Sequence, residues 1–369
     1  PVTCGFQTVV CVSSETGAVV SAPPFILQYG MRMMERLESP TFAERILAGR
    51  TKEVFDNSVL PLAVSVANSE PSMSYPRFVS AEDPVVVPAS SAAVTENFPK
   101  GIIFMFPGQG SYAHYALRDL YQADPESTLF LQKADKITEH FLGESILNLV
   151  TAKNTEQHDS ILERSPDLTQ VGIYLGSVLV ARYLMKRGLK PDCVVGHSAG
   201  ELAALAVAGV YSDEAGVEIM CNRIRALQSM KSTPAGMLAV FCDENRTRSV
   251  ISEIGGDSLQ IAVVNHDEQS VVSGTSVDLQ SLETRLKSLG IQSMKLNSRY
   301  PFHSALLKPA VSYFASFLKK IDFTPPEIHV YSPIERGFYT VQSDMTHLLA
   351  SHLVRPFTFP DALLNLSDL

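Results

Sequence analysis

The segment of this chain best suited to chemistry is Gly196-His197-Ser198-Ala199-Gly200, a G-x-S-x-G element. The apolar run PDCVVG before it reads as a buried strand. SAGELAALAVAG reads as a helix of good helix formers that stops at Gly209. A strand, a sharp turn and a helix in that order push a serine hydroxyl out over the edge of a sheet. The helix N-terminus then offers backbone N–H groups and a favourable dipole to a developing oxyanion. The chemistry this suits is attack by Ser198 on an acyl group. A glycine-rich turn with an incidental serine would carry the same letters.

A serine nucleophile needs a base, and nine histidines are available. His197 adjoins Ser198, but neighbouring positions on a turn point in different directions. It is expected to support the turn and line the substrate side rather than take the proton. His303 lies in Tyr300-Pro301-Phe302-His303-Ser304, at a chain crossing of the kind catalytic residues often occupy. A surface histidine capping a helix is the alternative. Phe106-Pro107-Gly108-Gln109-Gly110-Ser111 follows an earlier apolar strand. Its glycines let the backbone and the Gln109 side chain approach a ligand, which suits an oxyanion hole, although an ordinary turn would look similar.

The elements that must hold these residues alternate. GIIFMF is a short strand ended by Pro107, residues 168 to 187 have apolar side chains at helical spacing, PDCVVG is the next strand, and a further helix covers roughly 213 to 230. Strand and helix in alternation predict a parallel α/β sheet. Between about 235 and 298 the order becomes β-α-β-β-α-β, that of a ferredoxin-like unit. A helix near 303 to 320 and the strand EIHVYS then return to the larger domain. The predicted fold class is α/β: an α/β-hydrolase-like parallel-sheet domain carrying an inserted ferredoxin-like subdomain. Residues 1 to 99 read apart from the rest as a linker or adaptor region. FQTVVCVSS looks like a strand, residues 25 to 50 have helical spacing with a break at Pro40, and residues 80 to 99 are rich in Pro, Ser and Ala. The acyl-group chemistry is expected from residues 100 to 369.

Composition narrows the partners. The 369 residues are 45% hydrophobic and 19% charged, with a formal charge of −9 and no basic block. Nucleic acid is therefore not an expected partner. Five cysteines in no disulfide or zinc spacing point to a reduced, cytoplasmic compartment, and no metal site is expected. No apolar run is expected to reach the ~20 residues of a membrane span. The chain begins at Pro1 and not at Met, as expected of a piece of a longer or processed polypeptide.

FPGQGS, GHSAGE, NHDEQSVVSG and YPFHS, in that order and spacing, resemble the malonyl-CoA:acyl-carrier-protein transacylase family. That family includes the acyltransferase domains of polyketide and fatty acid synthases. The resemblance spans about residue 101 to the end. It implies Ser198 as the acylated nucleophile and His303 as general base and acid, with the imidazole oriented by a main-chain carbonyl. It implies Gln109 and the Ala199 N–H as oxyanion donors, and Asn265 beside the pocket. It also implies that Arg223 pairs with the free carboxylate of malonyl. A guanidinium fits that role because it can grip a carboxylate bidentately, which lysine cannot copy; Arg225 is the rival in the same segment. Phe302 before the histidine and Ala199 after the nucleophile are malonyl-like choices in the family, Phe302 because its ring would crowd an α-methyl branch. Three positions depart from the family pattern: Tyr112 for a second glutamine, Asp267 for a proline after Asn265, and Leu227 for a methionine. The family also continues beyond the equivalent of Leu369 with a glycine-rich segment, so a longer polypeptide is expected.

The expected activity is ping-pong transfer of a malonyl or similar dicarboxylic acyl group from coenzyme A to the phosphopantetheine thiol of an acyl carrier protein. No covalently bound cofactor is expected: the coenzyme A thioester is substrate, and phosphopantetheine belongs to the partner. A neighbouring ketosynthase domain is a further expected partner by position. The rivals are a serine acyl hydrolase or esterase, and an inactive scaffold domain of a megasynthase.

Overall fold

The computed structural model describes three strand segments, 10–13, 18–21 and 63–66, together with residues 102–112, 114–230 and 234–367. The expected helical stretch at 25–50 and the expected linker at 80–99 lie outside the described residues. Two compact units emerge. One comprises residues 6–221 and 324–331, and the other residues 222–323 and 332–365.

The first unit is built on a mixed sheet. Its strands β1 (Val10–Ser13), β2 (Ala18–Ser21), β3 (Ala63–Val66), β4 (Ile102–Phe106) and β5 (Cys193–Gly196) are joined by β10 (His329–Ser332). The order is β10-β5-β4-β1-β2-β3. β10, β5 and β4 run parallel, whereas β1, β2 and β3 add antiparallel strands beyond β4. Three short strands of the region expected to be a linker thus extend the sheet. All four residues of β5 are buried, as a strand covered on both faces requires.

Helices pack behind this sheet. α1 (His114–Ala123), α2 (Pro125–Leu142), α3 (Ile146–Val150), α4 (Thr155–Arg164), α5 (Leu168–Lys186) and α6 (Gly200–Val207) follow in chain order, and α7 (Asp213–Gln228) continues past the unit's last residue. α6 packs against β4 and β5, and α5 against α6. α5 corrects one expectation: its 19 residues are long and apolar enough to cross a membrane. The polar residues Gln170, Ser177 and Arg182 interrupt the run in the sequence. Here 83% of its apolar window is buried, and Val171, Leu175, Val178 and Ala181 are fully enclosed. It serves as a core helix.

The second unit contains β6 (Ala235–Val240), α8 (Glu244–Ile254), β7 (Gln260–His266), β8 (Gln269–Thr275), α9 (Ser276–Ser288) and β9 (Ser293–Lys295). Its sheet has the order β11-β7-β8-β6-β9, with β11 the two-residue strand Phe357–Thr358. β8 pairs antiparallel with both β6 and β7, β9 pairs antiparallel with β6, and β11 adds in parallel to β7. The amphipathic α8 and α9 lay Val250, Leu279, Leu282 and Leu286 onto Leu238, Val240 and Val272 of the sheet. Both helices start on a side-chain cap: Asp243 accepts from the Arg246 N–H and Thr275 from the Asp278 N–H. The helix expected near 303 to 320 is present as α10 (Lys308–Leu318), preceded by the 3₁₀ turn Ala305–Leu307. Pro309 at the second position of α10 lacks an N–H, which suits a helix start there.

Candidate active site

In the first unit, β4 and β5 lie side by side in parallel, with Phe106 opposite Gly196. The turns leaving them, Pro107–Ser111 and His197–Gly200, therefore emerge together at the carboxyl ends of the strands, where open α/β sheets place their ligands. The His197 N–H donates to the Phe106 carbonyl at 2.8 Å, which ties the two turns at their base. Glycine is what lets them approach. A Cβ on Gly200 would stand 2.2 Å from the Phe106 carbonyl oxygen. One on Gly108 would stand 2.7 Å from the His197 carbonyl oxygen and 3.4 Å from the Ser198 Cβ.

Ser198 adopts φ 52°, a left-handed conformation that costs an L-residue about 1–2 kcal/mol. The strain is held by the helix that follows: the Glu201 N–H donates to the Ser198 carbonyl at 2.9 Å and the Leu202 N–H to the Ala199 carbonyl at 3.2 Å. Ser198 is half-buried and Ala199 is buried. Gln109 is exposed on the neighbouring turn, which Ser111 closes by donating its hydroxyl to the Gly108 carbonyl at 2.6 Å. Glu201 lies fully buried in the first turn of α6. Behind it, the Tyr211 hydroxyl donates to the Leu202 carbonyl at 2.7 Å, and burial drives that phenol's pKa well up. Tyr112, at the end of the Gln109 turn, stacks on His158, and burial raises its pKa too.

In the second unit, His303 is 1% exposed and has φ 57°. Besides Ser198 and Arg336, no other non-glycine residue among those described has positive φ. Its backbone N–H donates to the Leu353 carbonyl at 2.8 Å. The peptide before it is fixed from the other side, where the buried Ser273 hydroxyl donates to the Phe302 carbonyl at 2.5 Å. His303 Nδ1 lies 2.9 Å from the Arg355 carbonyl oxygen. A carbonyl can only accept, so Nδ1 carries the proton and Nε2 is the basic nitrogen. Phe357 meets the imidazole edge to face at 5.0 Å, and His352 flanks it at 5.5 Å. The Arg355 side chain pairs with Glu335 and donates to the Ile334 carbonyl at 3.3 Å.

Arg223 and Arg225 share α7 but not its environment. Arg223 is 2% exposed, with its guanidinium carbon 4.6 Å from the centre of the Phe302 ring. Arg225 is in solvent. Phe302 is 3% exposed, with Tyr300 edge-on at 5.7 Å. Asn265 is half-buried at a register shift between Val264 and His266 and donates to the Gln269 side chain at 2.8 Å. The first unit thus gathers Gln109, His197, Ser198 and Ala199 at paired strand ends, and the second gathers Arg223, Phe302 and His303 around one buried segment. Arg355, Glu335, Ser273 and His352 were not anticipated. Arg355 acts through its carbonyl, which any residue supplies. Among the described residues no group of three or more His, Cys, Asp or Glu could hold a metal ion.

A family model described as the acyl transferase domain matches residues 103–367. The non-reducing polyketide synthase 1 of Elsinoe fawcettii is 31% identical over 265 residues, 71% of this chain and 12% of that protein. The atrochrysone carboxylic acid synthase of Passalora fulva is 28% identical over 238 residues, 64% of this chain and 13% of that protein. The chain therefore spans only a small part of the length of these relatives. Among solved structures, the acyltransferase domain from the second module of the salinomycin polyketide synthase superposes with a TM-score of 0.60. It has 27% identity and covers 72% of this chain and 61% of that one. The malonyl CoA-acyl carrier protein transacylase of Coxiella burnetii also gives 0.60, at 25% identity over 69% of this chain and 79% of that one.

Proposed function

Because this chain belongs to the acyl transferase domain family, and so is an acyltransferase, we propose that it moves a malonyl or similar dicarboxylic acyl group from coenzyme A to the phosphopantetheine thiol of an acyl carrier protein. The observation that carries the mechanism is the strained Ser198, at φ 52° between a buried strand and a helix N-terminus. In this reading His303 Nε2 takes the hydroxyl proton as Ser198 Oγ attacks the thioester carbonyl. The oxyanion is received by the Ala199 N–H and Gln109. The tetrahedral intermediate collapses, the C–S bond breaks, and the coenzyme A sulfur leaves as a thiol with the proton from His303. The carrier thiol then attacks the seryl ester with the same proton movements reversed. Arg223 binds the distal carboxylate, and its burial makes that charge pairing stronger than it would be in water.

The chain order β6-α8-β7-β8-α9-β9 and the sheet order β7-β8-β6-β9 support reading the smaller subdomain, about 235 to 298, as ferredoxin-like. Residues 100–369 are then the acyltransferase domain and residues 1–99 an adaptor, with a ketosynthase as a neighbouring partner. Asn265 and His197 complete the substrate-side residues of this reading.

The test is intact-protein mass after brief mixing with malonyl-CoA, beside acetyl-CoA and a Ser198→Ala control. A malonyl-sized adduct that the control lacks, and that persists until a carrier protein is added, is the expected result. An adduct that decays without acceptor would instead indicate an acyl hydrolase. No adduct from a folded sample would indicate a scaffold.

A further inference from the structure

We propose that Phe302 is a positioning residue for Arg223: its ring is the surface on which the buried guanidinium is held in the orientation that receives a carboxylate. This rests on the reading of Arg223 as the carboxylate-binding group. It gives Phe302 a second task besides excluding a branched acyl chain. The guanidinium carbon lies 4.6 Å from the ring centre, inside the ~6 Å range in which a cation is attracted to an aromatic face. Both side chains are almost wholly out of water, at 2% and 3% exposure, where that attraction is least screened.

The ring is itself held. Tyr300 meets it edge-on at 5.7 Å, and Ser273 Oγ fixes the Phe302 carbonyl at 2.5 Å. A long arginine side chain loses much rotamer freedom when it must present one face to a ligand. A fixed aromatic plane reduces that loss on binding, because a guanidinium stacks flat and leaves its N–H edge for a bidentate partner. A smaller side chain at 302 would therefore open space and also loosen the arginine. Wider acyl tolerance and weaker carboxylate binding would then arise together from one substitution.

The experiment is a double-mutant cycle on the whole chain, with Phe302→Leu, Arg223→Met and the pair. Thermal unfolding and the kcat/KM values for malonyl-CoA and acetyl-CoA are read for each. Phe302→Leu keeps apolar bulk without the ring face, and Arg223→Met keeps the stem without the charge. We expect Phe302→Leu to lower malonyl kcat/KM about fivefold more than acetyl kcat/KM, chiefly through KM. We also expect it to add little once Arg223 is Met, and Phe302→Tyr to restore the wild-type ratio. Coupled shifts in Tm across the cycle would support the contact independently of any substrate. Additive effects in both Tm and kcat/KM would overturn the proposal. If the shifts in Tm are coupled but Arg223→Met leaves the malonyl-to-acetyl ratio unchanged, the ring still holds the guanidinium and the carboxylate reading falls. Should Arg223→Met fail to fold, Arg223→Lys completes the same cycle, since an ammonium cannot stack as a plane.

Discussion

His303 Nδ1 donates to the main-chain carbonyl of Arg355 across 2.9 Å, and this one bond fixes the tautomer of a buried imidazole. A serine nucleophile elsewhere is served by a histidine that an aspartate orients. A neutral carbonyl aligns the ring without adding a negative charge beside it. The alignment is then only as good as the placement of residue 355. That residue is held by its own N–H, which donates to the Ser351 carbonyl at 3.1 Å, and by the side-chain pair with Glu335.

Replacing Glu335 should therefore reach the chemistry through the backbone. We expect Glu335→Gln to lower kcat by ~10-fold with little change in KM, because a catalytic group displaced by a fraction of an ångström loses rate rather than substrate. Glu335→Asp should recover part of the loss. His303→Ala should cost ~10²–10⁴ in kcat. Steady-state kinetics of malonyl transfer would decide. An unchanged kcat in Glu335→Gln would show that the Ser351 and Ile334 hydrogen bonds hold residue 355 without the ion pair.

The positive φ of Ser198 predicts a conflict between stability and activity. Glycine adopts this conformation freely and alanine does not, while both remove the hydroxyl. Ser198→Gly should therefore be more stable than Ser198→Ala by about 1 kcal/mol, or roughly 2–4 °C in Tm, and neither should transfer acyl groups. Calorimetry of the two variants measures the difference directly. Equal Tm values would mean that the turn relaxes when the hydroxyl is lost.

Much of this arrangement was legible in the sequence because its signals are local. The apolar runs IIFMF and CVVG could be little other than strands, CVVG wholly buried, and the G-x-S-x-G letters fell between CVVG and a helix of alanines and leucines. The choice between Arg223 and Arg225 was also open to inspection. Two residues apart lie on nearly opposite sides of a helix, and Arg223 shares a face with Ile219, Met220, Ala226 and Leu227, all buried. The helices between 114 and 164 went unread although Asp124 and Pro125 start α2 and the left-handed Gly143 ends it. Arg355 and the strand Phe357–Thr358 could not be read. The first contributes a carbonyl, which carries no side-chain signature, and the second has two residues.

Gly108 offers a sharper test of the oxyanion turn than Gln109 itself. A methyl group there meets the His197 carbonyl oxygen at 2.7 Å and His197 Nδ1 at 2.9 Å, and the carbonyl, as backbone of the nucleophile turn, cannot swing aside as a side chain could. Gly108→Ala should push the 107–111 turn away from Ser198, costing ~1–3 kcal/mol of stability and ~10²-fold in kcat through misplaced oxyanion donors. Thermal unfolding together with the rate of Ser198 acylation would show both effects. A variant that loses stability but acylates at the wild-type rate would remove this turn from the oxyanion hole.

Arg182 holds the far end of the helix that begins after the nucleophile. Its guanidinium donates to both oxygens of Asp213, at 3.0 and 2.9 Å, and to the carbonyls of Ala206 and Val207 at 2.9 and 3.2 Å. One planar fork thus satisfies two carbonyls at the C-terminus of α6 while pairing with the first residue of α7. Lysine keeps the charge but cannot make four directed bonds from one head group. Arg182→Lys should destabilise by about 2 kcal/mol, a discounted figure because the arginine side chain is 38% exposed. The loss should persist in high salt, since the carbonyl bonds depend on geometry more than on net charge. Denaturant unfolding at low and high ionic strength measures it. A loss that salt abolishes would reduce Arg182 to a surface ion pair and leave the C-terminus of α6 to hold itself.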